Sequence, residues 1–378
     1  MNFVDVFCNS NSLDIYELAR NYDYKDTIIV DIANEILEDM YDGIINTTHS
    51  FYLKLFHIML MVGTIKPKEI DLLIVDEAND LSAIALDIFD KYPAKQKVVI
   101  GDTYQSIYSF LGLVSAFEYY KNKGLHLSLT KSFRVNQFDA EMVEAFGKEY
   151  LSKSFKFKGM EYTKEEYKTK AILVRSNSDL ITNIIRLNIS NIPFKLVTKT
   201  KAYSLFEYPL FLAYLRKDNK SHKSLELRHI QEDVDEYYTL IASNKLSSKE
   251  VSLYSYLKDK NPNNNSLHSA INLMINFSKN DIIEAYKTIE QHINSNANLI
   301  LSTVHAFKGL TVDVTELSSS VNNSLLRALA KIEENGMTVE LQEELNLFYV
   351  AITRHRHRLE GLDDDIKELL SYLYNKHL

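Results

Sequence analysis

The sequence predicts an α/β fold with parallel sheets, because apolar runs alternate with helical patterns in both halves of the chain. In the first half, apolar runs at 72–75 and 98–100 flank a short helical connector. In the second half, apolar runs at 171–175 and 194–197 flank a helical period at 179–187. Such alternation is typical of βαβ units, whose parallel strands are buried on both faces. We therefore expect a parallel sheet in each half.

The composition is that of an ordinary globular protein. The chain has 378 residues, 46% of them hydrophobic and 25% charged, which is enough for about two or three domains. Its net charge of −8 provides no general attraction to nucleic acid, so such binding needs local basic patches. The single cysteine, Cys8, excludes an internal disulfide framework and a cysteine-rich zinc site. The sequence contains no long apolar run and no signal-peptide pattern, so we expect a cytoplasmic, intracellular protein with no membrane partner. We expect its origin to be a bacterium or a phage.

Polar residues follow both apolar runs of the first half. Asp76 and Glu77 come after the first run, and Asp102 and Gln105 come after the second. Because neighbouring parallel strands end at one edge of a sheet, we expect these side chains to face one crevice. An aspartate there can hold Mg²⁺ through water, a glutamate can activate an attacking water, and a glutamine can sense a γ-phosphate. The pattern indicates a nucleoside triphosphatase, with a surface turn after each strand as the alternative.

The same stretch resembles motifs II and III of the UvrD, Rep and PcrA type of superfamily 1 DNA helicases. The usual forms DEAQD and GDxxQxIYxFxG stand here as DEAND at 76–80 and GDTYQSIYSFLG at 101–112. The resemblance implies two RecA-like domains of the P-loop NTPase type that use ATP and Mg²⁺, with Asp102 among the nucleotide-binding residues. It also implies a 3′ to 5′ helicase or translocase on single-stranded or partly duplex DNA. Tyr108 and Phe110 are candidates for base stacking, with a core role as the alternative.

Weaker resemblances precede this stretch. Residues 6–19 resemble motif Ia, and we expect strands at 3–7, 27–30 and 44–45, with Ser12 capping the first helix. The sequence TTHSF that follows resembles motif Ib, which implies that Thr48 and Ser50 contact the DNA backbone. Helix capping explains these hydroxyl groups equally well.

A Walker A loop of the form GxxxxGK[ST] is absent from the sequence. The only Gly-Lys pair, Gly147-Lys148, precedes Glu149, which lacks the hydroxyl group that binds Mg²⁺. Losing the amides and lysine of such a loop costs on the order of 10³-fold in rate. The alternatives to a working helicase are therefore a non-catalytic relic that binds DNA or a partner, and a split helicase completed by a polypeptide that supplies the Walker A segment.

The sequence LTKSFRVN at 129–136 resembles motif IV. We expect a strand at 125–129 and a helix at 135–157 on either side of its centre. The resemblance implies that Phe133 stacks on adenine and that Arg134 reaches the γ-phosphate. The alternatives are core packing for Phe133 and an interdomain salt bridge for Arg134.

Two segments near the end of the chain resemble motifs V and VI. The sequence STVHAFKGL at 302–310 implies that Thr303 and His305 contact the DNA backbone. It also implies that Lys308 and Gly309 open a helix at the nucleotide cleft. The sequence ELNLFYVAITRHRHR at 344–358 resembles ENLLYVAITRA, and the apolar spacing of its helix is expected to leave Arg354 free as an arginine finger.

The motif order predicts a domain organisation. Residues 1–129 form an N-terminally truncated RecA-like domain 1A, and residues 130–204 with 299–378 form a RecA-like domain 2A. Residues 205–298 form a helical insertion, a reduced version of domain 2B.

Overall fold

Helices and parallel strands alternate along the part of the chain that the structure describes. Every strand pair in that part is parallel, so the predicted α/β class with parallel sheets is confirmed. None of its helices is both long and apolar enough to cross a membrane. The structure is a computed structural model that describes residues 3–24, 26–107, 115–161, 167–215 and 225–377.

The chain divides into two units, each of which is described separately. The first unit is Met1–Leu129 with Gln342–Asn346, and the second unit is Thr130–Leu341 with Leu347–Leu378.

The first unit combines a helical cluster with a two-stranded sheet. Strands β1 (Ile70–Val75) and β2 (Ala94–Val99) pair in register from Ile70 opposite Ala94 to Val75 opposite Val99. Buried side chains of the first four helices form its main core. The helices are α1 (Phe3–Asn9), α2 (Ile15–Asn21), α3 (Thr27–Tyr41), α4 (His49–Met61), α5 (Ala83–Lys91) and α6 (Ala116–Tyr120).

The second unit is built on a five-stranded parallel sheet in the order β6-β7-β5-β8-β9, beside the separate pair β3-β4. The strands are β3 (Lys131–Asn136), β4 (Lys158–Met160), β5 (Lys170–Val174), β6 (Lys195–Val197), β7 (Leu299–Thr303), β8 (Val312–Leu317) and β9 (His355–Glu360).

Helices of the second unit cover this sheet, and its main core lies between β5, β6 and β7 and helices α8, α9, α12 and α13. Helix α16 contributes residues 342–346 to the first unit. The helices are α7 (Gln137–Tyr150), α8 (Asn177–Ile189), α9 (Ala202–Ala213), α10 (Leu225–Ala242), α11 (Leu253–Lys260), α12 (Asn265–Asn276), α13 (Lys279–Ile293), α14 (Val304–Phe307), α15 (Ser319–Asn335), α16 (Val339–Ile352) and α17 (Asp364–His377).

The three strands expected near the N-terminus are wrong. Residues 3–7 lie in α1, residues 27–30 begin α3, and residues 44–45 lie in a turn. A run of four or five apolar residues fits a helical period and an extended period equally well, so the pattern alone does not distinguish a helix from a strand. Burial in the fold decides between them. The buried side chains of α1 follow the helical spacing Phe3, Val4, Phe7 and Cys8. Helix α2 begins after an Asp14 cap, and not after Ser12.

The predicted strand at 125–129 is also wrong. The alternation of Leu125, Leu127 and Leu129 suggested a half-buried strand, but these side chains are 85%, 82% and 95% exposed. Residues 125–129 are not hydrogen-bonded to a neighbouring strand. The strand in this part of the chain is β3, which begins six residues later, at Lys131. The helix expected at 135–157 is shorter and ends at Tyr150.

Strands β1 and β2 have the predicted pairing but not the predicted burial. Leu72 and Ile74 of β1 are 45% and 52% exposed, and Ile100 after β2 is 43% exposed. A parallel sheet normally has both faces covered. The first unit therefore presents an apolar sheet face to solvent.

A lysine lies inside the first unit. The Lys54 side chain is 1% exposed, its Nζ lies 4.1 Å from the centre of the Phe7 ring, and it donates hydrogen bonds to the carbonyl groups of Ser10 and Ser12. Burial lowers the pKa of Lys54 to about 8. Burial also raises the pKa of the neighbouring Cys8 thiol to about 11.

We expect the stability of the first unit to rise between pH 7 and pH 9 because of Lys54. The unfolded chain binds the lysine proton more tightly than the folded chain, so raising the pH through about 8 favours the folded state by about 1 kcal/mol. Cys8 opposes this trend only above its ordinary pKa of 9.0. Urea denaturation at both pH values measures the rise, which Lys54→Gln should remove. An equal rise in stability in Lys54→Gln would show that Lys54 does not cause the pH dependence.

Candidate functional site

The predicted acidic pair begins a sharp turn at the carboxyl end of β1. Asp76 and Glu77 are both exposed, and Glu77 has a φ of +53°. The Asp76 carboxylate accepts a hydrogen bond from the Glu77 amide at 2.9 Å. The following residue, Ala78, is buried and its amide donates to the Ile100 carbonyl at 3.0 Å. The acidic turn is thus anchored beside the end of β2.

The predicted polar residues after β2 contact each other. Asp102 caps a single 3₁₀ turn, Thr103–Gln105, and its Oδ1 accepts a hydrogen bond from the Tyr104 amide at 3.0 Å. Its Oδ2 accepts a second hydrogen bond from Gln105 Nε2 at 3.0 Å. The carboxylate of Asp102 therefore fixes the orientation of the Gln105 side chain.

Asn79 and Ser106, neither of which was predicted from the sequence, join these two turns. Asn79 is 1% exposed, and its Oδ1 lies 3.3 Å from the Asp102 amide, which donates to it. The Ser106 hydroxyl is 3.3 Å from Asp80 Oδ1 and 3.4 Å from the Asn79 carbonyl. A Cβ added at Gly101 would lie 2.7 Å from Asn79 Oδ1. The only available signal was the polar Asn-Asp pair that follows Asp76-Glu77-Ala78.

A residue from the motif VI region also contacts these turns within the first unit. Asn346 of α16 is 5% exposed, and its Nδ2 donates to the Ser106 carbonyl at 2.8 Å. The segments that resemble motifs II, III and VI are therefore connected by hydrogen bonds in this unit.

Phe133 and Arg134 lie on strand β3 of the second unit. Phe133 is 76% exposed, with Lys131 Nζ 5.6 Å from its ring centre. This exposure excludes core packing, the alternative considered for Phe133. Arg134 is half-buried, and its amide donates to the Ser132 hydroxyl at 3.2 Å.

Arg354 does not lie free as expected. It is 1% exposed, its Nε donates to the Val350 carbonyl at 2.8 Å, and its Nη2 donates to the Thr353 hydroxyl at 3.0 Å. Helix α16 ends at Ile352, and the guanidinium group folds back onto the last turn of that helix. Because the side chain is 1% exposed, contact with a nucleotide would require this region to rearrange.

The motif V segment differs from its expected geometry. Thr303 ends β7 and caps the short helix α14, with its hydroxyl 3.2 Å from the Ala306 amide. Lys308 and Gly309 therefore follow a helix and do not open one, and Gly309 turns the chain at a φ of +87°. His305 is half-buried in α14.

The motif Ib hydroxyl groups have different surroundings. Thr48 caps α4, with its Oγ1 accepting a hydrogen bond from the Phe51 amide at 3.2 Å, which agrees with the capping interpretation. Ser50 is half-buried in the first turn of that helix. Tyr108 and Phe110 lie outside the described residues.

No group of three or more His, Cys, Asp or Glu side chains that could hold a metal ion occurs within the described ranges. Magnesium in nucleotide sites commonly needs only one or two carboxylates, since waters and phosphates complete its coordination. The exposed carboxylate of Asp76 fits that limited requirement.

Comparison with known proteins shows which helicases the chain resembles. Residues 242–360 match the family model of the UvrD-like helicase C-terminal domain, a range that contains β7, β8 and β9 and the motif V and VI segments. This part of the chain is thus similar to the C-terminal domain of UvrD-like helicases.

The chain is also similar to F-box DNA helicase protein 1 of Schizosaccharomyces pombe, with 26% identity over 344 residues. The similarity covers 84% of this chain and 36% of the relative, so the chain spans about a third of the relative's length. Together the two comparisons confirm the predicted resemblance to UvrD-like superfamily 1 DNA helicases.

Proposed function

We propose that the chain is a UvrD-like motor that couples ATP hydrolysis to 3′ to 5′ movement along single-stranded DNA, using two RecA-like domains. The observation that supports this most strongly is the pair of interlocked turns in the first unit. Asp76 and Glu77 end one parallel strand, and Asp102 orients Gln105 after the neighbouring strand. Both turns follow strand carboxyl ends, the edge where open α/β sheets bind ligands.

Each residue has a specific role in this proposal. Mg²⁺ would neutralise charge on the phosphates, and Asp76 is the residue that would hold it through water. Glu77 orients the attacking water and accepts its proton, while Gln105 contacts the γ-phosphate. Arg134 and Arg354 stabilise charge that develops on that phosphate. The nucleotide is also held by Phe133, which stacks on adenine, and by Asp102, Lys308 and Gly309.

DNA contacts in the proposal come from hydroxyl, imidazole and aromatic groups. Thr48, Ser50, Thr303 and His305 contact the phosphate backbone, and Tyr108 and Phe110 stack on bases. Thr48 and Thr303 each accept a helix-capping hydrogen bond, which leaves the O–H of each hydroxyl group to donate to a phosphate oxygen.

Measuring ATP hydrolysis by the purified chain, with and without single-stranded DNA, tests the proposal. We expect DNA-stimulated turnover that Glu77→Gln lowers by about 100-fold or more, because the amide cannot accept the proton of the attacking water. Glu69→Gln is the matched control, since Glu69 is exposed at the opposite end of β1 and should keep normal turnover. Strand displacement from substrates with a 3′ or a 5′ tail tests the direction of movement.

A second candidate function is a split helicase, in which another polypeptide supplies the Walker A segment. The uncovered sheet in the first unit favours this candidate, because Leu72, Ile74 and Ile100 are exposed on a two-stranded parallel sheet. A Walker A segment consists of a strand followed by a helix, so its strand would extend the sheet at an edge and its helix would cover these side chains. DNA binding without turnover, followed by turnover when a Walker A polypeptide is added, would support this candidate. DNA binding without turnover in both conditions would support a relic. The absence of DNA binding would contradict the helicase and the split helicase and would favour a relic that binds a protein partner.

A further inference from the structure

A polar network at the start of α7 involves residues that the proposed function does not use. Asn136 caps the helix, and its Oδ1 accepts a hydrogen bond from the Asp139 amide at 2.9 Å. The Asp139 carboxylate accepts a hydrogen bond in return from Asn136 Nδ2 at 2.6 Å. The cap residue and Asp139 are therefore locked together.

The network continues to β9. Asn136 Nδ2 also donates to the His357 carbonyl at 2.8 Å, so both hydrogens of the Asn136 amide group are used. His355 Nε2 lies 2.8 Å from Asp139 Oδ2. The His355 side chain is fully buried, and that of Asp139 is only 13% exposed. Two side chains, Asn136 and Asp139, thus hold the beginning of β9.

Burial makes the proton position on His355 important. Neither ring nitrogen of His355 has a hydrogen-bond partner of good geometry among the described residues, but Nε2 is the nitrogen that lies 2.8 Å from Asp139 Oδ2. A proton on Nε2 is attracted by this carboxylate, so the tautomer that is protonated at Nε2 is favoured. The Asp139 carboxylate therefore holds the Nε2 side of the ring towards α7 by electrostatic attraction.

Both predicted phosphate-contacting arginines lie beside this network. Arg354 directly precedes His355, and Arg134 lies two residues before Asn136 on β3. We propose that Asp139 is a positioning residue that holds the backbone segments carrying Arg134 and Arg354 in a fixed relation through Asn136 and His355. This inference depends on the proposed function, in which the two arginines act on one phosphate.

Stability alone is a weak explanation of the buried Asp139 and His355 pair. Desolvation offsets most of the attraction in a buried pair, and apolar side chains of similar size often stabilise a protein as well. A pair of this kind instead restricts two segments to one arrangement, because each hydrogen bond has a defined direction. The motif that this segment resembles has alanine where this chain has His355, so the pair is a feature of this chain.

The test compares Asp139→Asn with Glu141→Gln, a matched change of a carboxylate two residues further along α7. Glu141 accepts a hydrogen bond from Gln137 within its own helix and does not contact β9. Asn136 Nδ2 and His355 Nε2 both meet the same oxygen of Asp139, Oδ2, so an asparagine at 139 removes the negative charge that attracts the two groups. His355→Ala removes the donor, and His355→Gln restores one near the position of Nε2.

We expect Asp139→Asn and His355→Ala each to lower kcat by ~10-fold or more with KM changed by less than ~3-fold. The far-UV spectra of both variants and the melting temperature of Asp139→Asn should stay close to those of Glu141→Gln, whereas His355→Ala should melt lower because it leaves a cavity at a fully buried site. The double variant should be no worse than either single variant, because both changes break one unit. His355→Gln should recover most of the lost turnover. Turnover in Asp139→Asn equal to that in Glu141→Gln would overturn the inference.

Hydrogen exchange separates failure of this inference from failure of the proposed function. Amides at 131–136 and 353–358 should exchange faster in Asp139→Asn than in Glu141→Gln, whether or not the chain hydrolyses ATP. If the parent chain has no turnover, the proposed function fails and exchange alone decides the inference. Unchanged exchange in both segments would then overturn it.

Discussion

Replacing Gly361 with alanine will lower the free energy of unfolding of the second unit by about 4 kcal/mol. Gly361 follows β9 at a φ of +73°, and an alanine Cβ there would lie 2.1 Å from the Leu317 carbonyl oxygen at the end of β8. The positive φ alone costs about 1–2 kcal/mol, and relieving the overlap costs about 1–3 kcal/mol more. A shift would also disturb the 2.7 Å hydrogen bond from the buried Asn322 to the Gly361 carbonyl.

Gly336 provides the matched control for this prediction. It has a similar φ of +80°, but an added Cβ meets no atom within 4 Å, so Gly336→Ala should cost about 1 kcal/mol. Urea denaturation followed by circular dichroism measures both variants. Equal stability of the two alanine variants would mean that the end of β8 does not approach Gly361 as closely as described.

Replacing Arg354 with alanine will destabilise the second unit by about 3–5 kcal/mol, whatever its role in turnover. The side chain is 1% exposed and supplies donors to the Val350 carbonyl and the Thr353 hydroxyl. The substitution leaves a cavity and two acceptors without these donors. Lost ATP turnover in this variant would therefore not by itself identify an arginine finger.

Arg354→Lys separates packing from catalysis. Lysine keeps the charge and the aliphatic stem but cannot reproduce the two differently placed guanidinium donors, so we expect a loss of only about 1–2 kcal/mol. If Arg354 also acts on the phosphate, this folded variant should lose most of its turnover. Arg356→Ala is the control, because Arg356 is exposed and should change stability by less than about 0.5 kcal/mol. A stability change in Arg354→Ala as small as that of Arg356→Ala would contradict the burial of Arg354.

The buried environment of Arg354 also bears on the proposed cycle. If Arg354 contacts a phosphate, it must first leave the Val350 carbonyl and the Thr353 hydroxyl, or the end of α16 must move with it. The Asp139 network fixes the residue that follows Arg354, so movement of the side chain alone is the smaller change. A conformational step of this kind would precede phosphate contact in the proposed function.

Much of the candidate site could be predicted from sequence because strand ends project polar residues in a regular way. The runs before Asp76 and Asp102 were identified as adjacent parallel strands, and Gln105 was placed beside Asp102. The contributions of Asn79, Ser106, Asp139 and His355 were not predicted. These residues act through partners at a distance in the chain, and no local pattern reveals such partners.

The sequence by itself determined the α/β class, the parallel pairing of β1 with β2, the strand–helix–strand order of β5, α8 and β6, and the resemblance to UvrD-like helicases. These features depend on local apolar periods and on contiguous motifs, which a linear sequence contains. Only the tertiary structure decided that residues 3–7 are helical, that the sheet in the first unit is uncovered, and that Arg354 is buried. Each of these outcomes depends on which surfaces are available for burial, and packing between distant segments sets that availability.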